Sequence, residues 1–419
     1  MVTSSNKPNR LKIFVSAYAC EPDLGSEVGV GWHWVLEMSK HFDLWVLTRK
    51  NNRTSIETWK QDNPDYEHIN FIYFDLPYYL RFWKSKRRGV RTYYNIWQWV
   101  TNGIVKKTML QNDIKIFHHL TYGNVLWTVS NYGKKQFFIW GPAGGVETIP
   151  SEFSKEYNLK GRVIEFVRRV VVQSLKYNLG FNNRCKNANL ILCKTEILKE
   201  NIHSKYRDKA VLFTDVAVDA FQIQEVSKKT DDSKVNYLIV GNLDPWRGFD
   251  LLIEAFALAV EVDPNIALTI IGSGIDKDRL NALIESKKLQ EHVTMMGKVS
   301  MDVYYEQMRK SDVVVNTSLK EGAVTTSFDS MAMGIPLICI DTAGYTRYFS
   351  NEYALVLPRE KRETLIVSLK EAILKLTDEE IRTTMGEHAQ EVGKQFTWSA
   401  RGDEIYDVIT KAYAESGNQ

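Results

Sequence analysis

The chain is poor in cysteine, with four in 419 residues. Cys20, Cys185, Cys193 and Cys339 form no C-x-x-C pair and no repeated spacing, so neither a zinc site nor a disulfide framework is indicated. Scattered thiols of this kind suit a reducing cytosol. Long apolar runs are missing as well. No stretch approaches the roughly twenty uncharged apolar residues of a membrane-crossing helix. The opening "MVTSSNKPNR" is polar and carries no signal-peptide core behind it. Charge of either sign is not in excess, the net being +3. No nucleic-acid recognition module is found. The dinucleotide fingerprint G-x-G-x-x-G is absent: in "GSEVGVGWHWV" the glycines Gly25, Gly29 and Gly31 have the wrong spacing for it.

What remains is an ordinary soluble globular composition, 44% hydrophobic and 25% charged. The length favours two domains over a single core. "LKIFVSAYAC", "DLWVLTRK", "INFIYFDL", "IKIFHHLT" and "KQFFIWGP" are short apolar runs separated by stretches of helical period. After the polar "VSKKTDDSKV" a second series follows: "NYLIVGNL", "IALTIIGSG", "HVTMMGKVS", "DVVVNTSL" and "IPLICID". Apolar strands alternating with helices predict parallel sheets covered on both faces. Two such series predict an α/β protein of two doubly wound, Rossmann-like domains facing a central cleft. The expected boundaries are 1–225, 226–395 and a terminal helix over 396–419 that crosses back to the first domain.

In sheets of this type ligands bind beyond the carboxyl ends of the strands. The loop stretch "KEGAVTTSFDSMAMGIPLI" is one such place, and it sets Glu321 and Asp329 beside a run of small and hydroxylated residues. Together with "GNLDPWRGFDLLIEAF", "IIGSG", "MGKVS" and "DTAG", in that order, it resembles the retaining GT-B glycosyltransferases of family 4, the group 1 glycosyltransferases. The resemblance is strongest over 237–345 and looser before it.

That resemblance implies a nucleotide diphosphate sugar as donor, UDP being the commoner base and GDP the alternative, with no tightly bound cofactor and no metal. It places Arg247 on the leaving diphosphate, Glu321 on the transferred sugar and Asp329 on the ribose. The stretch Gly322-Ala323-Val324-Thr325 opens a helix whose free N–H groups suit a phosphate or sugar. The base is expected against backbone at Gly297 and Lys298. The family has Arg where Asn242 stands and Glu where Asp329 stands, so more of the leaving-group charge falls on Arg247, with Lys298 or Lys320 as compensating cations. No Asp-x-Asp signature stands out, which argues against the metal-dependent architecture.

In the first half Gly29 lets backbone approach the diphosphate, and Glu27 is a candidate acceptor contact. His118 matches the family's histidine beside the reacting sugar, with His119 as the alternative because strand alternation turns the two to opposite faces. The stretch 78–107 carries Arg81, Lys84, Lys86, Arg87, Arg88, Arg91, Lys106 and Lys107 among eight aromatics and no acid, and 161–186 is basic too. Both suit the headgroup level of an anionic membrane. The expectation is a cytoplasmic enzyme, peripheral on the inner face of the plasma membrane, acting on a lipid-linked saccharide for bacterial surface polysaccharide. A catalytically silent nucleotide-sugar-binding subunit and an NAD-dependent oxidoreductase remain the alternatives.

Overall fold

The computed structural model describes residues 10–80, 89–129, 135–157, 159–220, 223, 234–342 and 344–417. The chain divides into two compact units, one of Met1–Val146, Leu175–Asp215 and Arg401–Gln419, the other of Glu147–Ser174 and Val216–Ala400.

The first unit is built on seven strands: β1 Lys12–Ser16, β2 Asp43–Arg49, β3 Asn70–Phe74, β4 Ile116–His119, β5 Phe137–Ala143, β6 Leu190–Cys193 and β7 Ala210–Leu212. They pair in the order β3-β2-β1-β4-β5-β6-β7, all parallel. The second unit has β8 Val235–Val240, β9 Ile266–Ile271, β10 Val293–Gly297, β11 Val313–Asn316, β12 Leu337–Ile340 and β13 Ala354–Leu357, in the order β10-β9-β8-β11-β12-β13 and again parallel. The central strands β4, β5, β11 and β12 are buried at every residue, which is why they read as continuous apolar runs and not as alternation.

Each sheet reverses its direction of growth once, between β1 and β4 and between β8 and β11. At such a point the two loops leaving the strands diverge and open a crevice at the carboxyl edge. The sites below follow from these two reversals.

The helix Phe249–Val260 is apolar almost all round, "FDLLIEAFALAV", and nine of its residues are buried. It is therefore an interior helix. It lies in one core with the β8 and β9 side chains and with Leu369 and Ile373 of the helix Arg362–Lys375. In the first unit the helix Val90–Val100 sends Tyr93, Tyr94 and Trp97 wholly inside, and Tyr18 meets the Tyr94 and Trp97 rings edge-on at 5.2 Å. Among the described aromatics of 78–107, Tyr93, Tyr94 and Trp97 are thus core, while Tyr78, Tyr79 and Trp99 are exposed. Of its basic residues, Arg81, Lys84, Lys86, Arg87 and Arg88 lie outside the described residues. The terminal helix is Trp398–Glu415. Its Arg401 lies over the Phe213 ring and donates to the Thr214 carbonyl at 2.9 Å, within the first unit.

Candidate functional site

The second unit brings Arg247 and Glu321 together at the β8/β11 reversal. β8 ends at Val240, and its loop makes a tight turn at Pro245–Arg247 before Gly248 starts the interior helix. Gly248 has φ +67°, and a Cβ there would lie 2.4 Å from the Thr317 carbonyl. Only glycine permits that approach. The Thr317 hydroxyl then donates to the Arg247 carbonyl at 2.9 Å, and the Leu319 N–H donates to the Trp246 carbonyl at 3.0 Å. With the two loops stitched in this way, the Arg247 guanidinium forms an ion pair with the Glu321 carboxylate, both side chains being four-fifths or more buried.

Cations gather on one ring here. The Arg247 guanidinium lies 4.4 Å and the Lys320 ammonium 5.3 Å from the centre of Trp246. Lys320 Nζ donates to Glu165 Oε1 at 2.6 Å. Burial pushes the Lys320 pKa down, and Glu165 opposes that shift. Two basic groups and two carboxylates, Glu321 and Glu165, thus stand near the start of the helix Thr325–Ala332, where Val324 provides no side-chain cap and the first turn holds no acid. Gly322 and Ala323 form the approach to that turn. The arrangement can take a polyanion on the cations and amides and hydroxyls on Glu321.

Asp329, on the same helix, is buried, and Tyr304 OH donates to its Oδ2 at 2.5 Å. Burial and then the Asp329 charge drive the Tyr304 pKa far up, so the phenol stays a donor. Asn242 is exposed, with its carbonyl accepting from the Asp244 N–H at 2.8 Å. Gly297, φ +73°, ends β10 and exposed Lys298 follows it, two strands along the sheet from the Arg247–Glu321 pair. One Asp-x-Asp does occur by letter, Asp276-Lys277-Asp278. There Asp276 is held by both arms of Arg279, at 2.7 and 2.6 Å, at the start of a helix. Among the described residues no group of three or more His, Cys, Asp or Glu side chains is placed to hold a metal ion.

In the first unit Gly29 lies in the first turn of the helix Ser26–His41, where a Cβ would run into the Leu24 carbonyl. Its neighbour Glu27 accepts from the Tyr122 N–H at 2.7 Å and faces a small pocket with Trp34, Thr121, Lys194 and Asp215. Burial raises the Glu27 pKa, against the pull of Lys194 and the Tyr122 N–H. Lys194 and Asp215 form an ion pair. Neither is visible as a candidate in the sequence, yet Lys194 directly follows β6 and Asp215 lies three residues past the end of β7.

His118 and His119 are both wholly buried. His118 Nε2 lies 2.7 Å from the Gly141 carbonyl, which can only accept, so that nitrogen carries the proton. His119 Nε2 meets Tyr94 OH at 3.1 Å. Burial lowers the His118 pKa to about 4 and the His119 pKa to about 3, leaving two neutral rings at neutral pH.

Two doubly wound parallel sheets, with the charged pair at the reversal of the second, define the GT-B glycosyltransferase architecture. Residues 220–392 match the family model described as glycosyl transferases group 1, and the chain resembles that family. An uncharacterized glycosyltransferase of Methanocaldococcus jannaschii is 26% identical over 233 residues, 55% of this chain and 61% of that one. The N-acetylgalactosamine-N,N'-diacetylbacillosaminyl-diphospho-undecaprenol 4-alpha-N-acetylgalactosaminyltransferase of Campylobacter jejuni is 28% identical over 161 residues, 38% of this chain and 42% of that one. The chain spans about half the length of the curated relatives it matches. Among solved structures, Anabaena HepE in complex with UDP shares the fold with a TM-score of 0.59 at 13% identity, over 96% of this chain and all of that one. No described helix is long and apolar enough to cross a membrane.

Proposed function

We propose that this chain transfers a sugar from a nucleoside diphosphate sugar, with UDP favoured over GDP, to a lipid-linked saccharide, with retention at the anomeric carbon and no essential metal. The observation that carries the reading is the Arg247–Glu321 pair at the β8/β11 reversal. In this reading Arg247 and the amides of Gly322-Ala323-Val324-Thr325 neutralise the departing diphosphate, with Lys320 adding positive potential where Asn242 provides none. Glu321 accepts hydrogen bonds from the transferred sugar, and its bond to Arg247 fixes both groups before the donor arrives. Asp329, steadied by Tyr304, takes the ribose, and backbone at Gly297 and Lys298 borders the base. His118 enters through Gly141, whose carbonyl it holds at the end of β5. The diphospho-undecaprenol in the name of the Campylobacter relative supports a lipid-linked acceptor and a place at the inner membrane face in surface polysaccharide assembly.

Calorimetric titration with UDP, GDP and NADH tests the donor half. UDP should bind and NADH should not, and Arg247→Ala should weaken UDP by tenfold or more. Binding of NADH without UDP would favour the oxidoreductase. Nucleotide binding without sugar release to any polyprenyl-diphosphate saccharide would favour a silent subunit.

A further inference from the structure

The helix Leu159–Gln173 is amphipathic with the wrong side out. Leu159, Val163, Ile164, Phe166, Val167 and Val170 are between 47% and 78% exposed, on the spacing of one helix face. The opposite face is the anchored one. There Glu165 and Val172 are buried, Arg168 donates to the Glu147 carbonyl at 2.9 Å, and Arg169 donates to the Ile149 carbonyl at 3.2 Å. Contiguous exposed apolar surface on a folded chain marks a place that something covers.

Charge and size indicate what covers it. Over 155–169 there are Lys155, Lys160, Arg162, Arg168 and Arg169 against Glu156 and Glu165, and Glu165 is buried in an ion pair. An apolar stripe bordered by the exposed Arg162, with exposed Lys155 just before the helix and its single helical acid turned inward, complements an anionic bilayer surface. A helix of 15 residues is about 22 Å long and about 10 Å wide. One such face offers a few hundred Å², well below the roughly 800 Å² per partner of a stable protein interface.

The inner face of the same helix reaches the donor loop. Glu165 holds Lys320, Lys320 shares the Trp246 ring with Arg247, and the next residue, Glu321, pairs with Arg247. We propose that Leu159–Gln173 lies in the surface of an anionic membrane with its apolar stripe inserted, and that the Glu165–Lys320 pair transmits docking to the donor site. The coupling rests on the donor reading above; the docking does not.

The test uses the full chain with phosphatidylcholine vesicles, with and without phosphatidylglycerol, followed by sedimentation and by UDP titration. The wild type should sediment with phosphatidylglycerol vesicles, less so as salt rises, and Phe166→Asp should lose this by tenfold or more while binding UDP in solution as the wild type does. Vesicles should shift wild-type UDP affinity severalfold, and Glu165→Gln should sediment normally without that shift. Undiminished sedimentation of Phe166→Asp, equal sedimentation with pure phosphatidylcholine, or a dimer in solution that Phe166→Asp dissociates would overturn the docking. UDP affinity indifferent to vesicles would overturn the coupling alone. A wild type that sediments but never binds UDP would instead remove the donor reading, and with it the coupling.

Discussion

Breaking the Arg247–Glu321 pair separates a site from a surface salt bridge. Both side chains are largely buried and in contact. Two unit charges at about 4 Å attract by about 4 kcal/mol at an effective dielectric near 20. The remaining exposure screens part of that, so the coupling should be about 1–3 kcal/mol in a double-mutant cycle. Arg247→Ala leaves a buried carboxylate without its cation and should lower stability by about 3 kcal/mol. Glu321→Gln keeps the shape and loses the charge. Carrying both changes at once should therefore cost less stability than the two singles added together. Activity should behave differently. Arg247→Ala removes transition-state charge stabilisation worth about 2–4 kcal/mol, roughly 30- to 1000-fold in kcat/KM. Glu321→Gln should cost about 100-fold through lost positioning, and the double variant should not recover. Denaturant melts and donor-turnover kinetics on all four proteins complete the cycle. If Glu321→Gln turned over donor within about twofold of wild type, the pair would be structural and the donor site would have to lie elsewhere.

Three further outcomes are expected. EDTA should leave turnover unchanged, measured as nucleotide release; loss of turnover restored by magnesium or manganese would show that Arg247 and the helix amides do not suffice. Asp329→Asn should raise the UDP Kd about tenfold and remove discrimination between UDP and 2′-deoxy-UDP, while a variant still preferring UDP would detach Asp329 from the ribose. The first unit should be acid-sensitive. His118 is held near pKa 4, against about 6.5 in an unfolded chain, so the unfolded state takes up the proton first. Stability is then complete above about pH 6.5 and falls by about 3 kcal/mol from His118 alone as the pH drops toward 4, with His119 acting in the same direction. Nine of the eleven tryptophans lie in Met1–Val146, so tryptophan fluorescence in denaturant reports this unit. A flat profile between pH 7 and 4.5 would contradict the burial of the two rings.

The sequence alone determined the two parallel α/β series and the strand-end loops to inspect. Its motif order also pointed to Arg247, Glu321 and Asp329. Strand runs such as "DVVVNTSL" and the small-residue loop after them are local patterns, and local patterns survive without coordinates. The short strands β6, β7 and β13 were not read from the sequence. The pairing of Arg247 with Glu321 was decided by tertiary structure alone. It depends on β8 and β11 being neighbours and on Gly248 admitting the Thr317 carbonyl. Lys194 and Asp215 beside Glu27, and residues 147–174 packing with the second unit, are likewise products of folding. The helix over 159–173 shows the difference most plainly. Its amphipathic period is written in the sequence, but the period does not say which face meets the core. That choice followed from Glu165 reaching Lys320 and from the Arg168 and Arg169 bonds to backbone, all contacts that a linear pattern does not contain.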